Sequence, residues 1–173
     1  MTVTVRDARD SDEDRAWISA TYRDYLSELS ASRSGIIPVS GEWQTRDDEF
    51  LAGWFRDPAA RPFVILASGV RAGFALVTRL PAWPREQADF RMSEFYVVPA
   101  ARGRRVGVHA ATLLFSRFEG EWEVLENEGN RAALAFWRRV IGGQTAGRYR
   151  ETREAGEIRQ RFRSVVRPPE GAI

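Results

Sequence analysis

The chain has 173 residues, 43% of them apolar and 12% aromatic, which fits one domain spanning residues 1–173 with a full-sized core. It holds no cysteine and a single histidine, His109, which excludes disulfides, thiolate metal sites and a cysteine nucleophile and argues against a histidine metal cluster or catalytic triad, so no metal is expected. The longest apolar runs, such as residues 63–67, fall far short of the ~20 residues that span a bilayer, and no charged-then-apolar leader opens the chain; a cytoplasmic protein with no membrane partner is expected.

A net charge of +2 conceals an asymmetry. Residues 1–57 carry 12 acids against 7 arginines, and residues 138–173 carry 9 arginines against 4 acids. All 26 basic residues are arginine. Arginine stays charged, forks onto phosphates and cannot become the neutral amine that acyl donors modify. A compositional bias is the simpler account of that choice.

Residues 2–5 alternate β-branched side chains and predict a first strand. Ser11 followed by Asp14 predicts a capped helix start, and Ile18, Tyr22, Tyr25 and Leu29 then fall on one helical stripe. Residues 30–43 break the pattern with Gly, Pro and Ser yet offer Ile36, Ile37, Val39 and Trp43, as a substrate lid would. Thr45 caps a second predicted helix whose inner face is Phe50, Leu51, Trp54 and Phe55. Residues 63–67 and 73–80 read as an antiparallel hairpin around Ser68-Gly69. The loop 81–87 presents Trp83 between two prolines, as a plug or as a pocket wall.

A strand over residues 90–98 leads into a loop of alternating arginine and glycine, residues 101–107, and then a helix with apolar residues at 106, 110, 113, 114 and 118. Glycine and arginine at a strand-to-helix junction suit a phosphate, because free backbone N–H groups, the helix dipole and fixed guanidinium charge converge there. A short strand over 122–125 follows. Asn130 opens another helix, expected to stop at Gly142-Gly143, and two strands around Glu154-Ala155-Gly156 close the chain with a solvated face of Arg159, Arg161 and Arg163. The order is β-α-α-β-β-β-α-β-α-β-β, a mixed α/β class with a central mixed sheet flanked by helices.

Arg102-x-x-Arg105-x-Gly107 after a strand ending in Val97-Val98-Pro99, followed by Asn130-x-x-Ala133-x-x-Phe136-Trp137, resembles the GNAT superfamily of N-acetyltransferases. The element order agrees along nearly the whole chain, and the segment AFWRRVIGG is most similar to the bacterial branch of predicted acetyltransferases. The resemblance implies a GNAT-like fold that transfers acetyl from acetyl-CoA to a primary amine of a small molecule or peptide, by direct attack in a ternary complex. It implies a pyrophosphate on the loop of Arg102, Gly103, Arg104, Arg105, Val106, Gly107 and Val108, and a pantetheine arm on the backbone of Val97 and Val98. Asn130, Ala133 and Trp137 would face that arm.

Two departures stand out. Arg105 occupies a position where the family usually has glycine, and negative φ is expected there. Trp137 stands where many members carry the tyrosine that protonates the leaving thiolate; Tyr96 and Tyr149 are the substitutes. The amine must lose a proton, and Glu94, on the strand beside the thioester, is the candidate base, with an ion pair to Arg91 as its structural alternative. Trp43, Trp83 and Tyr96 are candidate acceptor contacts. A non-catalytic acyl-CoA binder and an arginine-rich nucleic-acid module over residues 138–167 are the competing readings, nucleic acid being disfavoured by the interleaved acids. A homodimer through an exposed strand stays open.

Overall fold

The structure, a computed structural model, describes residues 1–31, 43–82 and 88–165, and the side chains of these except 30–31 and 43–48. Its elements are β1 (Val3–Asp7), α1 (Asp12–Ala31), α2 (Trp43–Arg56), β2 (Ala60–Ala67), β3 (Val70–Arg79), β4 (Phe90–Val97), α3 (Val106–Arg117), β5 (Gly120–Asn127), α4 (Arg131–Thr145), β6 (Arg150–Glu154) and β7 (Glu157–Ser164). The order is the expected one. Trp83 lies outside the described residues, as do 32–42 of the expected lid; of Trp43 only the backbone, at the start of α2, is described.

Seven strands form one sheet in the order β1-β2-β3-β4-β5-β7-β6, antiparallel throughout except for the parallel pair β4–β5. Strand alternation assigns the two faces. Phe74, Leu76 and Tyr96 meet Ile18 and Tyr22 of α1 and Leu51 and Trp54 of α2. Ala75, Val77, Met92, Trp122 and Val124 meet Leu114 and Phe115 of α3 and Trp137, Val140 and Ile141 of α4. Each large side chain taken fully from water in these layers contributes about 1.5–3 kcal/mol. Trp122 is fully buried and satisfies its indole by donating to the Phe118 carbonyl at 3.1 Å.

The split between β4 and β5 positions the site. Leu76 pairs with Glu94 and Val77 with Met92, which leaves Ser93 as the extra residue of a β-bulge in β4. On the other edge of β4, pairing with β5 runs from Phe90↔Trp122 to Met92↔Val124 and ends there. Both strands continue, β4 to Val97 and β5 to Asn127, along edges that no longer touch.

Two expectations are corrected, and a third, the Ser11 cap, holds with a further contact. Helix α4 does not stop at Gly142-Gly143; it runs to Thr145 and closes on Ala146 in the left-handed region, whose N–H bonds the Gly142 carbonyl. Burial of Val140, Ile141 and Thr145 carries the helix through two poor helix formers. Ser11 does cap α1, its Oγ accepting from the Asp14 amide at 3.2 Å, but the fully buried Asp14 carboxylate is clasped by Arg6 at 2.8 Å and Arg71 at 2.7 Å. The arginine face of β7 is not merely solvated: Arg161 lies 3.1 Å from the buried Glu123 and Arg159 lies 3.9 Å from it. Among the described residues no helix is long and apolar enough to cross a membrane.

Candidate active site

The separated edges of β4 and β5 open two cavities that share Phe95, Ala133 and Phe136 as a common wall. The rings of Phe95 and Phe136 stack at 5.6 Å between centroids. One cavity, of about 1160 Å³, runs from Val97 along the arginine/glycine loop to Arg139 of α4. The other, of about 820 Å³, is bounded by Tyr22 and Tyr25 of α1, Glu94 of β4, Glu126 of β5, and Asn130 and Trp137 near the start of α4.

On the first side, alternation fixes which backbone groups are open. The Val98 amide donates to the Ala72 carbonyl of the β3 side at 2.9 Å, so the Val97 N–H and C=O point the other way, into the cleft. The Val97 carbonyl accepts from Arg102 Nε at 2.8 Å. Of the two valines expected to meet the cofactor arm, Val97 alone turns its amide to the cleft.

A 3₁₀ turn over Pro99–Ala101 leads to Gly103 at φ 76° and Arg105 at φ 61°. The negative φ expected at Arg105 is therefore wrong. Arg105 is the residue before the first helical one, and its carbonyl accepts the first helical bond, from His109 N at 3.1 Å. The chain turns into α3 through a left-handed residue, a conformation that costs a side-chain-bearing residue about 1–2 kcal/mol. The turn leaves the N–H groups of Val106, Gly107 and Val108 without intrahelical acceptors, while the Arg104 and Arg105 side chains stay exposed.

Gly107 sits where three elements converge: a Cβ there would lie 3.2 Å from Phe136 Cε2 and 3.5 Å from Val97 Cγ2. Arg102 is less free than the motif suggests. Its amide bonds the Pro99 carbonyl, and its guanidinium forks onto Glu28 at 2.6 and 2.9 Å and lies 5.3 Å over the Tyr96 ring.

On the second side, Glu94 does not pair with Arg91, whose Nε donates to Glu123 at 2.8 Å. Glu94 Oε2 instead accepts from the Tyr25 hydroxyl at 2.6 Å. Burial pushes the Glu94 carboxyl up to about 7; the Tyr25 hydrogen bond opposes that rise and the charge of Glu126 adds to it. The phenol of Tyr25 is pushed up as well, by burial first and then by the Glu94 charge. Glu126 is also raised by burial, against hydrogen bonds from Asn130 and from the Asn127 amide. Asn130 links Glu126 to α4: its Oδ1 caps the helix by accepting from Ala133 N at 3.3 Å, and its Nδ2 donates to Glu126 Oε1 at 3.1 Å.

The remaining candidates separate. Tyr96 lines the first cavity rather than the second and donates to Glu28 at 3.1 Å. Its hydroxyl is a weaker acid than an ordinary phenol, through burial and then Glu28. Tyr149 lines neither cavity and packs beside Gly142. Trp137 is buried, edge-on to Phe95 at 5.2 Å, and borders the second cavity. Sequence reading missed Tyr25, Glu28, Phe95 and Glu126 as site residues.

The family model of the Acetyltransferase (GNAT) family matches residues 15–142. The chain belongs to that family, whose class of chemistry is acetyl transfer. Solved structures share the fold at low identity. An acetyltransferase from Thermus thermophilus superposes with a TM-score of 0.66 at 14% identity, over 94% of this chain and 97% of that one. A PaiA N-acetyltransferase from Thermoplasma acidophilum, in complex with coenzyme A, gives 0.62 at 10% identity over 94% and 99%. A putative acetyltransferase from Salmonella typhimurium, with its cofactor acetyl-CoA, gives 0.59 at 16% identity over 100% of both chains. No curated protein matches the chain.

Proposed function

We propose that the protein transfers an acetyl group from acetyl-CoA to a primary amine by direct attack in a ternary complex. The carrying observation is the split of β4 from β5 after Met92 and Val124, which sets a cleft with an anion-binding rim and a cavity holding a proton acceptor on either side of Phe95. Two of the structural relatives were solved with coenzyme A or acetyl-CoA, which supports the same ligand here.

The fit rests on this chain's own groups. The unpaired amides of Val106, Gly107 and Val108 at a helix N-terminus suit a pyrophosphate, helped by the charges of Arg104 and Arg105 at the rim. The cleft-facing amide of Val97 suits an extended amide-bearing arm added beside β4, with Ala133 and Phe136 as the opposite wall. Arg102 joins this site only by exchanging Glu28 for a phosphate, and Val98 contributes packing rather than its amide. Asn130 fixes the start of α4, and buried Trp137 supports Phe95.

Bound there, acetyl-CoA supplies the thioester. Glu94, half ionised near pH 7, takes a proton from the acceptor's ammonium, directly or through one water, so that the nitrogen arrives neutral. Tyr25 holds the Glu94 carboxylate in place through its 2.6 Å hydrogen bond. A thiolate with an ordinary pKa near ~8.5 leaves without a strong acid beside it. Thiol release from acetyl-CoA, measured over a set of primary amines, tests the reading: amine-dependent release is expected. Cofactor binding with no amine-dependent release would favour the non-catalytic binder that Trp137 motivates.

A further inference from the structure

The chain carries 26 arginines, yet no arginine lines the Glu94 cavity among the described residues, while three glutamates do: Glu94, Glu126 and Glu157. The first cavity shows the opposite balance, with Arg102, Arg105 and Arg139 against Glu28 alone. The two sides of the split are therefore built for opposite charges.

Glu126 stands on β5, across the opening from Glu94 on β4. Both of its protein hydrogen bonds, from Asn130 Nδ2 and the Asn127 amide, fall on Oε1 at 3.1 Å, and among the described residues nothing donates to Oε2. That oxygen is open to the cavity, where a ligand cation can replace the water on it. The cavity that holds the two carboxylates is also lined by Tyr22, Phe50 and Trp137, aromatic faces that accept alkyl chain and attract ammonium charge. Among the described residues the same wall offers no cation to a ligand carboxylate.

Resting on the acetyl-transfer reading above, we propose that the acceptor is a diamine-like molecule: a primary amine carrying a second cationic group and no carboxylate, with its second charge held by Glu126 while the reacting nitrogen lies at Glu94. Glu126 is then a specificity residue. It pairs with a charge that takes no part in the reaction.

Three acceptors of matched chain length test this: putrescine, n-butylamine and γ-aminobutyrate, compared by thiol release from acetyl-CoA. Putrescine should exceed n-butylamine in kcat/KM by about tenfold, with γ-aminobutyrate below both. Glu126→Gln keeps the Oε1 acceptor for Asn130 and should bring the putrescine-to-butylamine ratio close to one, through KM for putrescine rather than kcat. Equal kcat/KM for the two amines in the wild type, or an undiminished ratio in Glu126→Gln, overturns the proposal. Calorimetric titration with putrescine in the presence of CoA gives a second readout, independent of turnover. Glu126→Gln should weaken binding about tenfold, and equal binding by wild type and variant overturns the proposal. Glu126-dependent putrescine binding without thiol release sustains the inference and contradicts only acetyl transfer; release without preference for the second charge does the reverse.

Discussion

The Tyr25 hydroxyl donates to Glu94 Oε2 at 2.6 Å, joining helix α1 to the strand that borders the split sheet. It sets two opposing influences on one carboxyl. Burial and the Glu126 charge raise Glu94 to about 7, and the Tyr25 bond restrains the rise.

If Glu94 is the base, kcat/KM rises with pH through an inflection near 7, because the ionised form is the active one. Glu94→Gln should lower kcat/KM by about 100-fold and abolish that inflection. Tyr25→Phe removes the restraint, so the inflection should move to higher pH while the ceiling of the profile changes less. Initial rates between pH 5 and 9, a range set by the reference carboxylate and amine values, check both.

The same shift governs stability. The folded-state value of Glu94 lies above its ordinary 4.5, so its neutral form is favoured in the folded chain and its contribution is complete below 4.5 and lost as pH rises through about 7. The unfolding free energy from denaturant melts should fall across that window, with about 3 kcal/mol as the contribution of this group. Glu94→Gln should flatten the slope.

Asp14 has the opposite sign. Burial raises its carboxyl, but hydrogen bonds and charge from Arg6 and Arg71 win, and the net value lies below 3.8. Its contribution is present above 3.8 and lost as pH falls through the lower folded value. Asp14→Asn should cost about 2 kcal/mol at neutral pH, since both arginines keep partial access to water. The difference from wild type should shrink in acid, as thermal or denaturant melts would show.

Glu28 lines the cavity along the arginine/glycine loop and holds Arg102 at 2.6 Å. Removing its charge both frees the guanidinium and relieves repulsion of a polyanionic ligand. Glu28→Gln should tighten CoA binding about threefold at low salt and less at high salt, because the pair is exposed and screened. Calorimetry at two ionic strengths reads this directly.

Strand alternation and helical stripes carried the element order, because the hydrophobic period is a direct consequence of which face is buried. The end of α4 was not legible: a Gly-Gly pair reads as a stop, and only the packing of Val140 and Ile141 on the sheet overrides it. Arg105 misled for a related reason: arginine itself does not signal positive φ, and the turn into α3 imposes it at a position where the family usually has glycine. Tyr25 was read as one more ring of a buried stripe; its hydroxyl meets Glu94 across 69 residues of sequence, a distance no local period reports. Glu126 sits on a strand that parts from its neighbour after Met92↔Val124, beside a bulge at Ser93, and no residue there signals either feature.

Acetyl transfer by this chain requires the cleft between β4, α3 and α4 to be the acetyl-CoA site, and calorimetric titration of wild type and Gly107→Glu with CoA tests that most directly. Gly107 lies among the unpaired amides and against Phe136 and Val97, so a glutamate there brings both bulk and negative charge into the cleft. The wild type should bind with a dissociation constant below about 1 mM, and the variant, checked for cooperative melting, should lose at least about 100-fold in affinity. A wild type that does not bind CoA, or a folded variant that binds it equally well, would contradict the account.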